Sequence, residues 1–192
     1  MIDAPYRLHR NIQFSLCSVR DYSVGTLAKR NVMAKQAGTR IDIAPKLRAN
    51  MISLLNQQLA DTLDLQTQTK QAHWNVQGPH FIALHELFDK LAEQLEEPVD
   101  DIAERITALG GVAHGTARMA TKASRLTEFP DGRIDGMKAV AALADRYAAL
   151  AKTTRAAIDV SGKQGDADTS DLFTGISREL DKALWFLEAH LA

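Results

Sequence analysis

The chain has 192 residues, 45% hydrophobic and 24% charged, which is the profile of one globular domain with enough length for a full core. No apolar run approaches the about 18 residues of a membrane span, residues 13–19 are too short and polar for a secretory signal, and a lone Cys17 excludes an intrachain disulfide. The net charge of −1 hides an asymmetry: residues 1–50 carry nine Lys/Arg against three acids, or +6, leaving −7 on the remainder. A basic arm attracts polyanions, whereas an acidic body attracts cations.

Residues 1–43 show no sustained periodicity and are predicted to form a basic, flexible N-terminal arm, with a single domain over 44–192. Its Lys29, Arg30, Lys35 and Arg40, continued by Lys46 and Arg48, suit nonspecific DNA binding, because scattered cations neutralise phosphate without reading bases. The competing reading is a solubilising tail.

From Pro45, placed for a first helical turn, Leu47, Met51, Leu54, Leu55, Leu59 and Leu63 predict a helix to about Trp74. Asn75-Val76-Gln77-Gly78-Pro79 then makes a turn. A second helix follows over about 81–110, its apolar stripe set by Phe81, Leu84, Phe88, Leu91, Leu95, Ile102, Ile106 and Leu109. Gly110-Gly111 ends it, and Pro98 inside it removes a backbone donor and should bend it.

Residues 112–132 are too long for bare loop, so a short helix is expected over about 114–123. A third long helix carries Met137, Val140, Leu143, Tyr147, Leu150 and Ile158 and breaks at Ser161-Gly162-Lys163-Gln164-Gly165. The fourth opens near Asp168 with Phe173, Ile176, Leu180, Leu184, Leu187 and Leu191. The expected fold is all-α, a four-helix bundle with a short extra helix in the long middle connection.

Metal-ligand residue types recur at helical intervals in one place only. His85, Asp89, Asp100 and Glu104 form a row on the second helix, and His73 lies at the end of the first. Asp89 and Asp100 are 11 residues apart, about 16 Å along a helix, whereas ligand bonds to oxygen or nitrogen are only about 2.0–2.2 Å. One helix thus offers two half-sites and completes neither. A twofold-related copy would bring His85 and Asp89 of one subunit opposite Asp100 and Glu104 of the other, giving two identical metal sites per dimer. Imidazole with carboxylate suits iron, zinc or manganese, and ligand chemistry alone does not choose among them.

The spacing closely resembles the Dps family, the mini-ferritins: K-x-x-H-W-N-V-x-G from Lys70, F-x-x-L-H-x-x-F-D from Phe81 and D-x-x-x-E-R from Asp100. Ala144-Asp145-Arg146-Tyr147 and Ser177-Arg178-Glu179-Leu180-Asp181-Lys182 extend the resemblance over about residues 33–192, leaving residues 1–32 as an extension or an upstream start. The resemblance implies a ferritin-like bundle, iron as the metal at His73, His85, Asp89, Asp100 and Glu104, and a ferroxidase centre shared between subunits of a homododecameric shell. It also implies hydrogen peroxide as the favoured oxidant, ferric storage, DNA protection, and a cytoplasmic, nucleoid-associated place with no membrane partner.

Other readings stand beside these. The absence of any Glu-x-x-His disfavours an intrasubunit di-iron site. Trp74 and Trp185 are expected as core or interface aromatics, with Trp74 also placed to absorb oxidising equivalents beside His73. Asp166, Asp168 and Asp171 either cap the fourth helix and complement its dipole or form an acidic pore for Fe(II). His9, His80, His114 and His190 lack helical partners and read as surface or packing residues. The rival functions are a nucleoid-binding structural protein with weak or absent ferroxidase activity, and a zinc or manganese module without turnover.

Overall fold

The structure, a computed structural model, describes residues 38–192. Within them the order is α1 (Pro45–Asn75), β1 (Val76–Gln77), α2 (Phe81–Glu93), α3 (Glu96–Ala108), α4 (Ala117–Ala123), β2 (Ile134–Asp135), α5 (Gly136–Gln164) and α6 (Ala167–Glu188). α1, the α2–α3 pair, α5 and α6 are the four arms of a bundle, and α4 is the short extra helix in the middle connection. One apolar core joins all four arms through Met51, Leu55, Leu59 and Leu65 of α1, Leu84, Phe88, Ile102 and Ile106 of α2 and α3, and Leu143, Tyr147, Phe173 and Leu180 of α5 and α6. No described helix is long and apolar enough to cross a membrane.

α1 starts at Pro45, where a missing N–H costs nothing, and runs 31 residues until Val76 turns extended. The second arm is not one bent helix. It divides at Gln94–Leu95, one turn ahead of Pro98, and Pro98 lies in the first turn of α3. A proline affects the carbonyl four residues before it, because that oxygen loses its N–H partner, so the fault opens at Gln94 and not at Pro98 itself. Leu95 N–H turns back to Ala92 O at 3.2 Å, a tight three-residue bond, before Val99 N–H resumes the ladder on Leu95 O.

The middle connection is pinned to α1. Asn56 holds both the Val112 carbonyl and the His114 N–H, Gln57 Nε2 donates to Ala123 O, Ser124 donates to Asp64, and Arg125 donates to Asp61 through its backbone N and two guanidinium nitrogens. Beyond it, β2 pairs in parallel with β1, Val76 with Ile134 and Gln77 with Asp135. This two-residue ladder, which the turn residues 75–79 did not disclose, sets the start of α5 against the start of α2.

α5 continues through Ser161-Gly162-Lys163-Gln164, which the sequence suggested as a break. Ser161 is buried and its hydroxyl bonds back to Ala157 O at 2.7 Å, so the ladder carries on. The chain stops only at Gly165 (φ 90°), where Asp166 N–H returns to Ser161 O in a glycine-terminated cap.

Candidate metal centre

His73 ends α1 and His85 lies in the second turn of α2, and the turn between them folds the two helices face to face. Their rings stack with centroids 3.8 Å apart and planes 20° from parallel. Each ring holds the other's backbone: His73 Nδ1 donates to His85 O at 2.8 Å, and His85 Nδ1 donates to His73 O at 2.9 Å. A carbonyl oxygen can only accept, so both Nδ1 atoms carry hydrogen, and the neutral tautomer compatible with these bonds has its lone pair on Nε2. A hydrogen bond that fixes the tautomer and aims the free nitrogen is the support that metal-binding histidines use.

Asp89, one turn after His85, brings a carboxylate to the same place, with Oδ1 3.8 Å from His73 Nε2. Two bonds of about 2.1 Å reach from these atoms to a common ion. Imidazole with carboxylate is a donor pair that suits a divalent first-row metal, and His73 Nε2 with Asp89 Oδ1 supplies one such pair. The Lys70 ammonium pairs with Asp89. This hydrogen bond holds the Asp89 carboxyl below its ordinary value and raises the Lys70 ammonium in return. Asp89 is thus held in its ionised form.

Asp100 and Glu104 lie one turn apart on α3, both exposed, and neither side chain has an ion-pair or hydrogen-bond partner among the described residues. The break at Gln94–Leu95 separates them from His85 and Asp89, so a single ideal helix no longer relates the two pairs. Among the described residues of one chain, no three His, Cys, Asp or Glu side chains converge closely enough to hold an ion by themselves.

Glu104 lines an open groove with Asp101, Arg105, Asp168 and Asp171 between α3 and α6. The three aspartates singled out in the sequence divide here. Asp168 and Asp171 are exposed, but Asp166 is only 2% exposed and caps α6: it accepts from Thr169 N at 3.0 Å, Thr169 Oγ1 at 2.7 Å and Arg105 Nη2 at 2.7 Å. Its oxygens are used up by protein donors, so the capping role is the one its geometry carries.

Trp74 is 65% exposed and Trp185 is likewise turned outward, so neither is a core residue of the single chain. His80 and His114 are exposed, and His190 Nδ1 donates to Phe186 O. Of the basic residues, Arg40 and Lys46 are exposed and Arg48 is half-buried, while Lys29, Arg30 and Lys35, like Cys17 and His9, lie outside the described residues. The Lys70 ion pair carried no sequence signal as a site contact beyond its place three residues before His73. The reciprocal carbonyl bonds carried none, since backbone acceptors leave no trace in residue type.

A ferritin-like domain model matches residues 52–192. The DNA protection during starvation protein of Agrobacterium fabrum is 44% identical over 153 residues, covering 80% of this chain and 94% of that protein. DpsA14 from Streptomyces coelicolor superposes with a TM-score of 0.77 at 38% identity over 81% of this chain and 92% of its own. A Vibrio cholerae Dps protein, described as a member of a superfamily of ferritin-like diiron-carboxylate proteins, superposes at 0.76 with 29% identity, over 83% of this chain and 100% of its own.

Proposed function

This chain belongs to the Dps family of ferritin-like proteins, and on that premise we propose that it oxidises Fe(II), stores the ferric product in a shell of its own copies and protects DNA from oxidative damage. The observation that carries the reading is the stacked His73–His85 pair, whose crossed carbonyl bonds engage both Nδ1 atoms and leave the Nε2 atoms free of protein acceptors, that of His73 3.8 Å from Asp89 Oδ1.

Fe(II) is the substrate. His73, His85 and Asp89 of one subunit bind it, and Asp100 and Glu104 of a twofold-related copy complete the shell, which gives two identical sites per dimer. The solitary carboxylates of α3 support this division, since nothing described in their own chain satisfies them. Hydrogen peroxide is the electron acceptor: two ferrous ions give up one electron each to become ferric, and one peroxide with two protons becomes two waters. Consuming peroxide and ferrous ion together prevents hydroxyl radical from forming beside DNA.

Self-assembly proceeds through the twofold dimer to a homododecamer. Exposed apolar side chains at Trp74, Ile82 and Trp185 support burial between copies. DNA binding is nonspecific, through Lys29, Arg30, Lys35, Arg40, Lys46 and Arg48, and many copies of the arm on one shell add avidity. The working place is the cytoplasm at the nucleoid.

The deciding experiment follows Fe(II) oxidation by purified protein with peroxide and, separately, with oxygen, alongside a DNA mobility shift at low and high salt. Accelerated oxidation, faster with peroxide and lost in His85→Ala protein, is expected. A mobility shift with no acceleration would leave a nucleoid-binding structural protein.

A further inference from the structure

The fault in the second arm sits between the two half-sites, and a hydroxyl from another helix reaches a carbonyl beside it. At Gln94 (φ −62°, ψ −18°) and Leu95 (φ −86°, ψ −9°) the chain stays near helical values yet misses two rungs. Leu95 N–H bonds Ala92 O in place of Leu91 O, and Pro98 has no N–H for Gln94 O. The Leu91 carbonyl is therefore left without its helical donor in the middle of the core.

Tyr147 of α5 fills that gap. Its side chain is 1% exposed, and its hydroxyl donates to Leu91 O at 3.3 Å. The Tyr147 hydroxyl oxygen also lies 3.4 Å from Thr69 Oγ1 of α1, and the Thr69 hydroxyl donates to Leu65 O at 2.8 Å. Thr69's hydrogen is thus committed, so the single phenolic hydrogen is shared between the Leu91 carbonyl and Thr69. Burial pushes the Tyr147 phenol far above its ordinary value, so it remains a donor at every working pH.

The three tied points surround the candidate centre along the chain. Thr69 lies one turn before His73, Leu91 two residues after Asp89, and the fault follows directly before α3 with Asp100 and Glu104. We infer that Tyr147 is a positioning residue for the metal centre: by satisfying the Leu91 carbonyl it keeps the α2–α3 fault open, and so sets the angle at which Asp100 and Glu104 are presented relative to His85 and Asp89. The inference rests on the shared-centre reading above. Without the hydroxyl, the Leu91 carbonyl regains a backbone partner by taking back Leu95 N–H, which reshapes the turn between α2 and α3 while Pro98 still bars the Gln94 rung, and so swings one half-site against the other.

The test is Co(II) binding to the assembled protein, read by titration calorimetry and by the visible spectrum of the bound ion, in wild type, Tyr147→Phe, His85→Ala and a core control, Phe173→Leu. Loss of a supporting contact weakens metal affinity by about tenfold or more. That weakening, with an altered cobalt spectrum, is expected for Tyr147→Phe at unchanged assembly mass and helicity, while Phe173→Leu lowers stability but binds as wild type. Wild-type binding by Tyr147→Phe while His85→Ala fails would overturn the positioning role alone. Equal weakening in Phe173→Leu would reduce it to general stability, and binding retained in His85→Ala would remove the centre and the role together. If Tyr147→Phe does not assemble, Pro98→Ala probes the same geometry, because an N–H at position 98 can close the fault onto Gln94 O. Weaker cobalt binding supports the inference and unchanged binding refutes it.

Discussion

His73 and His85 hold each other's backbone: each Nδ1 donates to the other residue's carbonyl, at 2.8 and 2.9 Å, across stacked rings. Because the pair acts as a unit, His73→Ala and His85→Ala should each weaken Co(II) or Fe(II) binding by about tenfold to a hundredfold, and the double variant should be little worse than either. Calorimetry on the three variants checks this. Losses that simply add would mean the two rings bind independently.

Lys70 sets the acid side of the pH profile. A depressed carboxylate contributes stability that is present above its unfolded value, 3.8 for Asp89, and is lost as the pH falls through the lower folded value. The raised Lys70 ammonium contributes below 10.5 and loses that contribution as the pH rises through its higher folded value. The benefit of the pair should therefore be flat between these limits and vanish in strong acid. Urea midpoints of wild type and Lys70→Met should differ by a constant amount across neutral pH and converge below about pH 4. A difference that grows in acid would contradict the pairing.

Gly136 opens α5 with its Cα against the centre's own helix. A Cβ there would stand 2.6 Å from Leu84 Cδ1, and Leu84 is fully buried one residue before His85. Gly136→Ala should cost about 1–3 kcal/mol through overpacking and also weaken metal binding by shifting the start of α2. Gly175, in mid-helix on α6, meets nothing within 4 Å, so Gly175→Ala should stabilise by up to about 1 kcal/mol through helix propensity. Thermal melting with a cobalt titration separates the two, and normal binding in Gly136→Ala would show that α2 absorbs the clash.

The bundle was legible because its signals are local: Pro45 at a first turn, apolar residues at three- and four-residue steps, and Gly165 at a stop. Pro98 was legible as a fault but not in position, since proline acts on the carbonyl four residues earlier. Gly162 misled because Ser161, buried and bonded back to Ala157 O, keeps the helix going. The parallel pairing of Val76 with Ile134 joins residues far apart in sequence and is too short to carry a period. At the centre, residue types and spacing pointed to His73, His85 and Asp89, but the carbonyl bonds that aim the imidazoles involve backbone atoms that every residue has. Asp166 looked like its neighbours Asp168 and Asp171, and only packing against Arg105 and Thr169 distinguishes it.

Asp61 anchors the middle connection. It is 1% exposed; its Oδ1 accepts from the Arg125 backbone N–H and from Gln57 Nε2 at 3.2 Å, and its Oδ2 accepts from the Arg125 guanidinium. Arg125→Ala leaves a buried carboxylate short of donors and should cost about 2 kcal/mol. Faster amide exchange in 112–135 should accompany the lower melting temperature. A stability change under about 0.5 kcal/mol would show that the remaining donors suffice.

DNA binding by the basic arm should depend on phosphate neutralisation. Deleting residues 1–32 removes Arg7, Arg10, Arg20, Lys29 and Arg30, so the log–log slope of affinity against salt should become shallower, by up to about one unit per lost phosphate contact. An unchanged slope in mobility-shift titrations would exclude those residues from the interface.

The shared centre is tested most directly by complementation. His85→Ala and Glu104→Ala chains, each inactive alone, are co-expressed and the mixed assemblies titrated with Fe(II). Random pairing makes half the dimers mixed, and each mixed dimer regains one of its two sites, so about a quarter of the wild-type capacity should return. Mixed assemblies no better than either parent would contradict a centre built from two subunits.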